Sequence, residues 1–307
     1  MSSRLDNRVA FISGGATGLG RRYAEYLSLM GAKVIINDIA KNTDGEYEAA
    51  LTAEQINSHN IVSVSDYADI TDREAVEQSL ESYIKRFGKI DIFIHNAGVY
   101  NAKPLEESTY GEWDKVIGVH LTGAYNILKI LLPVMKARNY GRIILVSSSI
   151  GMFGAPYNIG YAAAKMGIWG MAKGIDAEYS KYGIYCNVIS PIAGSGKSSP
   201  DFIKKMSADF DVSHILPFVA FLSSDLCQDG GRVYTCGGGY HANIELYESE
   251  GILLKNDSIQ KKCIVGNQSS IDVIHSVLHE IQNMDNPSGI FNFKQAAKKL
   301  FKKIKEV

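Results

Sequence analysis

Ser13-Gly14-Gly15-Ala16-Thr17-Gly18-Leu19-Gly20 decides the fold, because of what stands on either side of it. Arg8 to Ile12 is short and apolar and reads as a strand, while Arg21 to Met30 is amphipathic and reads as a helix. Glycines between a strand and a helix let the backbone approach a pyrophosphate. The helix amino terminus then supplies free N–H groups and a positive dipole end. An ordinary tight turn could carry the same residues, so the rest of the chain has to decide.

Moving outward, strand-like and helix-like stretches keep alternating. Strands are expected at Lys33 to Asn37, Ile61 to Val64, Ile90 to His95, Arg142 to Ser147, Tyr185 to Ser190 and Arg232 to Thr235. Helices are expected after Asp44, behind a Thr71/Glu74 capping box as far as Phe87-Gly88, from about Thr109 to Ala137, and over Tyr161 to Tyr179. The pattern implies an α/β fold: a doubly wound, parallel, seven-stranded Rossmann-type sheet in a domain spanning residues 1–240. Ligands of such sheets sit beyond the carboxyl ends of the strands, where the motifs of this chain fall. After Gly237-Gly238-Gly239 the alternation stops. Residues 241–307 are expected to form a C-terminal helical extension, packed on the first domain or on a partner subunit. Its amphipathic stretches are Ile271/Ile274/Leu278/Ile281, behind Ser269 and Ser270, and the lysine-flanked Ala297/Leu300/Phe301/Ile304. Those lysines read as a solvated face, with contact to a partner subunit, CoA phosphates or a membrane surface as alternatives.

Composition narrows the function. The 307 residues are 46% hydrophobic and 21% charged, too apolar for a disordered chain. A net charge of -1 leaves no basic footprint for nucleic acid. The start of the chain lacks a signal-peptide core, no apolar run looks long enough to span a bilayer, and Lys305-Glu306-Val307 is not a peroxisomal ending, so a cytoplasmic location is expected. Cys186, Cys227, Cys236 and Cys263 are scattered, and the seven histidines form no metal-ligand pair, so buried thiols and no metal are expected.

Gly14, Thr17, Gly18, Leu19 and Gly20 are the expected phosphate-binding turn. Asp38 closes the second strand about 20 residues on, where its carboxylate can accept from two ribose hydroxyls. It would repel the extra phosphate of NADP, and neither Thr17 nor Ile39 offers a cation, so NAD is the expected cofactor. Asp69 and Ile70, after the third strand, either bracket the adenine or begin the next helix. Tyr161 and Lys165, four apart on one helix, share a face. A nearby ammonium, with the positive charge of the oxidised nicotinamide, should lower the phenol's pKa and make it a usable base. Ser148, thirteen positions earlier at a strand end, can hydrogen-bond the substrate oxygen.

The glycine turn, His95-Asn96-Ala97-Gly98 and Ser148…Tyr161-x-x-x-Lys165 together resemble the short-chain dehydrogenases/reductases over residues 8–240. The resemblance implies an oxidoreductase of secondary alcohols and ketones. It implies that Asn96, Ala97 and Gly98 line the adenosine-ribose side of the cofactor, and that Pro191, Ala193, Gly194 and Ser198 approach the nicotinamide. It also implies a homodimer or homotetramer built on the long helices. Two departures from the usual family pattern are His120, where an asparagine with a kinked backbone holds a relay water, and Pro191-Ile192-Ala193-Gly194-Ser195. With Asn139-Tyr140-Gly141-Arg142 and Ala162-Ala163-Ala164-Lys165, they are similar to the (3R)-hydroxyacyl-CoA dehydrogenase unit of peroxisomal multifunctional enzyme type 2. That branch implies a 3-hydroxyacyl-CoA substrate. His120 is open to two readings, a relay residue or a core histidine satisfied by backbone. Another carbonyl compound, sugar or sterol as substrate, or a regulator that binds NAD without turnover, are the rival functions.

Overall fold

The computed structural model describes residues 4–58, 62–193 and 210–249, with 278, 282–284, 287–289, 299 and 302 beyond them. Strands β1 (Val9–Ser13), β2 (Lys33–Asn37), β3 (Ser63–Asp66), β4 (Ile92–His95), β5 (Gly141–Val146), β6 (Ile184–Pro191) and β7 (Val233–Gly237) stand in the order β3-β2-β1-β4-β5-β6-β7. Every neighbouring pair among them is parallel. Phe11, Ile12, Ile92, Phe93, Ile94, Ile144 and Leu145 are sealed from solvent. Helices cover both faces, which is why these strands read as unbroken apolar runs. An eighth strand, β8 (Tyr240–Ile244), extends the β7 edge after Gly238 and Gly239, both in the left-handed region. Its side chains are mostly exposed, so it has no apolar run to announce it.

Helices α1 (Gly18–Leu29), α2 (Glu48–Asn57), α3 (Arg73–Phe87), α4 (Tyr110–Ile117), α5 (Gly123–Arg138), α6 (Ser149–Phe153), α7 (Ile159–Tyr179) and α8 (Leu216–Ser223) complete the described layers. The cap of α3 differs from the expected one. Asp72, not Thr71, accepts the N–H groups of Glu74 (3.0 Å) and Ala75 (3.1 Å). Thr71 turns its hydroxyl the other way, donating to Asp69 at 2.7 Å.

The long helix expected from Thr109 does begin there, under a capping box with Glu112, but it is not uniform. A five-residue π segment, Gly118–Thr122, separates α4 from α5. Beyond it α5 buries Ile127, Leu128, Leu131, Leu132 and Met135. The run Tyr110–Arg138 is long and apolar enough to cross a membrane by length and composition, contrary to the sequence expectation. Half of its apolar window is buried inside the fold, which is the pattern of a core helix. Cys186, Cys227 and Cys236 are buried and free, and Cys263 lies outside the described residues.

The chain divides into two units, Met1–Asn243 and Ile244–Val307. In the second, β9 (Tyr247–Glu248) pairs antiparallel with β10 (Ser288–Gly289), an element the purely helical expectation lacked. Lys299 Nζ donates to the Ser249 carbonyl at 2.6 Å. The two amphipathic stretches of this unit fall almost wholly outside the described residues.

Candidate active site

The winding of the sheet reverses between β1 and β4, and a cavity of about 540 Å3 opens there beyond the strand ends. Gly14 and Thr17 line it from the turn after β1, Asp38 after β2, Asp69 and Ile70 after β3, and Asn96, Ala97 and Gly98 after β4. The opposite wall is Asp114, Lys115 and Gly118, which no sequence motif marks. They come from α4 and the first residue of the π segment that follows it.

The glycines of the turn have different duties. A Cβ at Gly20 would stand 1.9 Å from the Gly14 carbonyl oxygen, and one at Gly14 would stand 2.6 Å from Ala97 Cα. Both positions therefore hold backbone against backbone, and Gly20 does not itself line the cavity. Leu19 packs against the core instead. Gly18 is left-handed (φ +53), and a Cβ there would meet nothing within 4 Å, so it leaves open space at the start of α1. No side chain caps α1, and its first turn carries no acid. Asn96 Nδ2 donates to the Gly14 carbonyl at 2.8 Å and ties β4 to the turn. The Asp38 carboxylate is fixed by the N–H groups of Ala16 (3.1 Å) and Ala40 (3.0 Å). An uncapped helix end, a Cβ-free approach and an oriented carboxylate fit a dinucleotide. Asp69 lines the cavity and also holds the turn before α3 through Thr71, while the cap of that helix is Asp72.

Past the end of β5, Ser148 caps α6, accepting from the Ile150 N–H at 3.2 Å, and its hydroxyl stands near enough to Tyr161 to favour the phenolate. Lys165 lies one turn along α7, its Nζ 5.6 Å from the Tyr161 ring centroid. Only 3% of Lys165 is exposed, and its ammonium donates to the Val146 carbonyl at 2.6 Å. Burial pulls its pKa down to about 7. Lys165 by itself does not lower the Tyr161 pKa: burial raises it, opposed by the nearby Ser148 hydroxyl, while the lysine is engaged with Val146.

The Tyr161 ring is met edge-on by His120 (5.1 Å, 89°) and by Tyr100 (5.5 Å, 81°). A pocket of about 30 Å3 beside it is lined by Leu105, Trp113, Tyr157 and Ile159 together with the polar Asn101, Lys103, Ser108 and Glu112. His120 meets backbone at one nitrogen only. Its Nε2 lies 2.7 Å from the Val99 carbonyl and 3.1 Å from the Val99 N–H, whereas Nδ1 is buried without a partner among the described residues. Burial, reinforced by Lys165, pushes its pKa down to about 2, so the ring is neutral. Gly98 explains itself here, since a Cβ would stand 2.4 Å from His120 Cε1. His95 carries no role in the sequence reading, although a histidine ending an apolar strand is a visible signal. Pro191 closes β6 and Ala193 follows it; Gly194 and Ser198 lie outside the described residues.

The model of the short chain dehydrogenase family matches residues 8–198. This chain belongs to that family. The dehydrogenase is 32% identical over 256 residues to peroxisomal multifunctional enzyme type 2 of Drosophila melanogaster, covering 82% of this chain and 42% of that one. To peroxisomal multifunctional enzyme A of Dictyostelium discoideum it is 29% identical over 296 residues, covering 94% and 63%. The solved full-length Drosophila enzyme superposes with a TM-score of 0.79 at 26% identity, over 99% of this chain and 50% of that one. The dehydrogenase thus spans less than two thirds of these multifunctional relatives. It is an oxidoreductase related to their dehydrogenase unit, in a family that uses NAD or NADP.

Proposed function

We propose that this dehydrogenase interconverts a secondary alcohol and a ketone with NAD, and that its substrates are 3-hydroxyacyl thioesters. The observation that carries this reading is Ser148, Tyr161 and Lys165 together at the strand ends, beside the glycine-turn cavity. NAD, when bound, supplies the hydride acceptor. Ser148 orients the substrate oxygen, and Tyr161 takes the hydroxyl proton during oxidation and returns it during reduction. Lys165, with a pKa near neutrality, holds or passes that proton from its buried position. Asp38 selects NAD by repelling a ribose phosphate. Kinship with the multifunctional enzymes supports the 3-hydroxyacyl thioester as the substrate class.

A panel of secondary alcohols, including 3-hydroxyacyl-CoA thioesters of several chain lengths, tests this by nicotinamide absorbance with NAD and with NADP. Turnover of other alcohols but of no thioester would overturn the substrate class, and a preference for NADP would overturn the cofactor. Tyr161→Phe should lower kcat by roughly 100- to 10,000-fold while leaving NAD binding intact. An active variant removes Tyr161 as the acid/base.

A further inference from the structure

Ser13, His95 and His120 form a buried chain that takes no direct part in the proton transfer at Tyr161. Ser13 Oγ lies 2.9 Å from His95 Nδ1, and His95 Nε2 lies 2.9 Å from the backbone carbonyl of His120. A carbonyl can only accept, so Nε2 carries the His95 proton, and Nδ1 accepts the hydrogen of the Ser13 hydroxyl. Both ring nitrogens are spent, which fixes the tautomer and the ring orientation together. His95 is fully buried, and burial, then Lys165, holds its pKa down to about 3. It is therefore a neutral donor and adds no second charge beside the lysine.

The carbonyl that His95 grips belongs to the middle of the π segment. There the Gly123 N–H reaches back five residues to Gly118, and the widened turn leaves room for an outside donor. The same residue presents its ring edge-on to Tyr161, anchored by Val99 at Nε2 and packed against Gly98. His120 is thus held from two sides, its backbone by His95 and its ring by Val99.

We propose that His95 is a positioning residue for proton transfer at Tyr161: by gripping the His120 carbonyl it fixes the π segment, and with it the His120 ring beside Tyr161 and Lys165. This rests on the reading of Tyr161 and Lys165 as the proton-transfer pair. An apolar residue at position 95 would leave that carbonyl and the Ser13 hydroxyl without their partner. Asparagine could serve both, donating through its amide nitrogen and accepting through its oxygen.

The test compares His95→Leu and His95→Asn, each alone and combined with His120→Ala. His95→Leu should lower kcat about 10-fold or more, since a small misplacement near the chemistry is costly, while KM for NAD and substrate stays within about twofold. His95→Asn should recover kcat to within about threefold of the parent, and in the His120→Ala background His95→Leu should change it less than about twofold. Equal losses in both backgrounds, an unaltered His95→Leu enzyme, or a loss carried by KM alone would overturn the proposal. Should His95→Leu fail to fold, Ser13→Ala, which leaves Nδ1 without its donor and loosens the ring, takes its place with the same dependence on His120. Imidazole 15N spectra of the substrate-free protein separate this proposal from the reading of the reaction. The His120 signals should move in His95→Leu and stay near the parent's in His95→Asn, whether or not any substrate turns over. Unmoved His120 signals in both variants would refute the coupling.

Discussion

Replacing Lys165 by methionine should stabilise the cofactor-free protein while destroying its activity. The lysine is nearly sealed from water, and its pKa falls from an ordinary 10.5 to about 7 because burial penalises the ammonium. Each tenfold change in proton affinity is worth about 1.4 kcal/mol, so holding the charged form costs the folded chain on the order of 5 kcal/mol once the pH is below 7. Methionine removes that cost but loses the 2.6 Å hydrogen bond to the Val146 carbonyl. A buried acceptor left bare costs about 1–3 kcal/mol, so the net gain at pH 7 or below should be roughly 2 kcal/mol or more. Between pH 7 and 10.5 the unfolded lysine is protonated and the folded one is not. Parental stability therefore rises with pH across that window through this group, and the variant lacks that slope. The gap between the two should close by up to about 1.4 kcal/mol per pH unit above neutrality. Urea denaturation of both proteins without cofactor, from mildly acidic to alkaline pH, measures it. A parent as stable as the variant at low pH, or a gap that ignores pH, would refute the reasoning.

Asp38→Ala should weaken NAD binding by about 10-fold, the worth of a charged hydrogen bond, and narrow the discrimination against NADP. Cofactor titration by fluorescence checks it, and an unchanged preference would remove Asp38 as the selector. Gly20→Ala should cost about 1–3 kcal/mol and impair NAD binding, because its Cβ would press on the Gly14 carbonyl at 1.9 Å. Gly18→Ala, with open space around it, should cost only about 1–2 kcal/mol of left-handed strain. Equal cofactor affinity in Gly20→Ala and the parent would show that the close approach of turn and helix is dispensable.

The parts of the fold legible in the sequence are those governed by local pattern. The apolar runs of the central strands survive because both faces are buried, whereas Tyr240–Ile244, an edge strand with exposed side chains, leaves no such trace. Thr71 has the spacing of a cap, but spacing cannot reveal that Asp69 has already engaged it. The candidate site is legible as residue types: Ser148, Tyr161 and Lys165 do converge. Their electrostatics are not, because the partner of Lys165 is a backbone carbonyl on another element, the strand β5. Asp114, Lys115 and His95 belong to the same class of omission. Each takes its role from tertiary contacts, with no local signature beyond a histidine at the end of an apolar strand.

Because the π segment Gly118–Thr122 carries one residue more than an α-helix would over the same turn, it acts as a frame shift inside a continuous helix. Upstream residues such as Trp113 and Val116 are phased toward α7, where they flank Gly160, and downstream ones toward the sheet. Deleting a single residue there would rotate one half against the other by about 100°. Point substitutions along either half can accumulate separately, whereas insertions and deletions at the junction cannot. His120 stands at that junction, so a slip of one register step would be felt by the hydrophobic core and by Tyr161 in the same event.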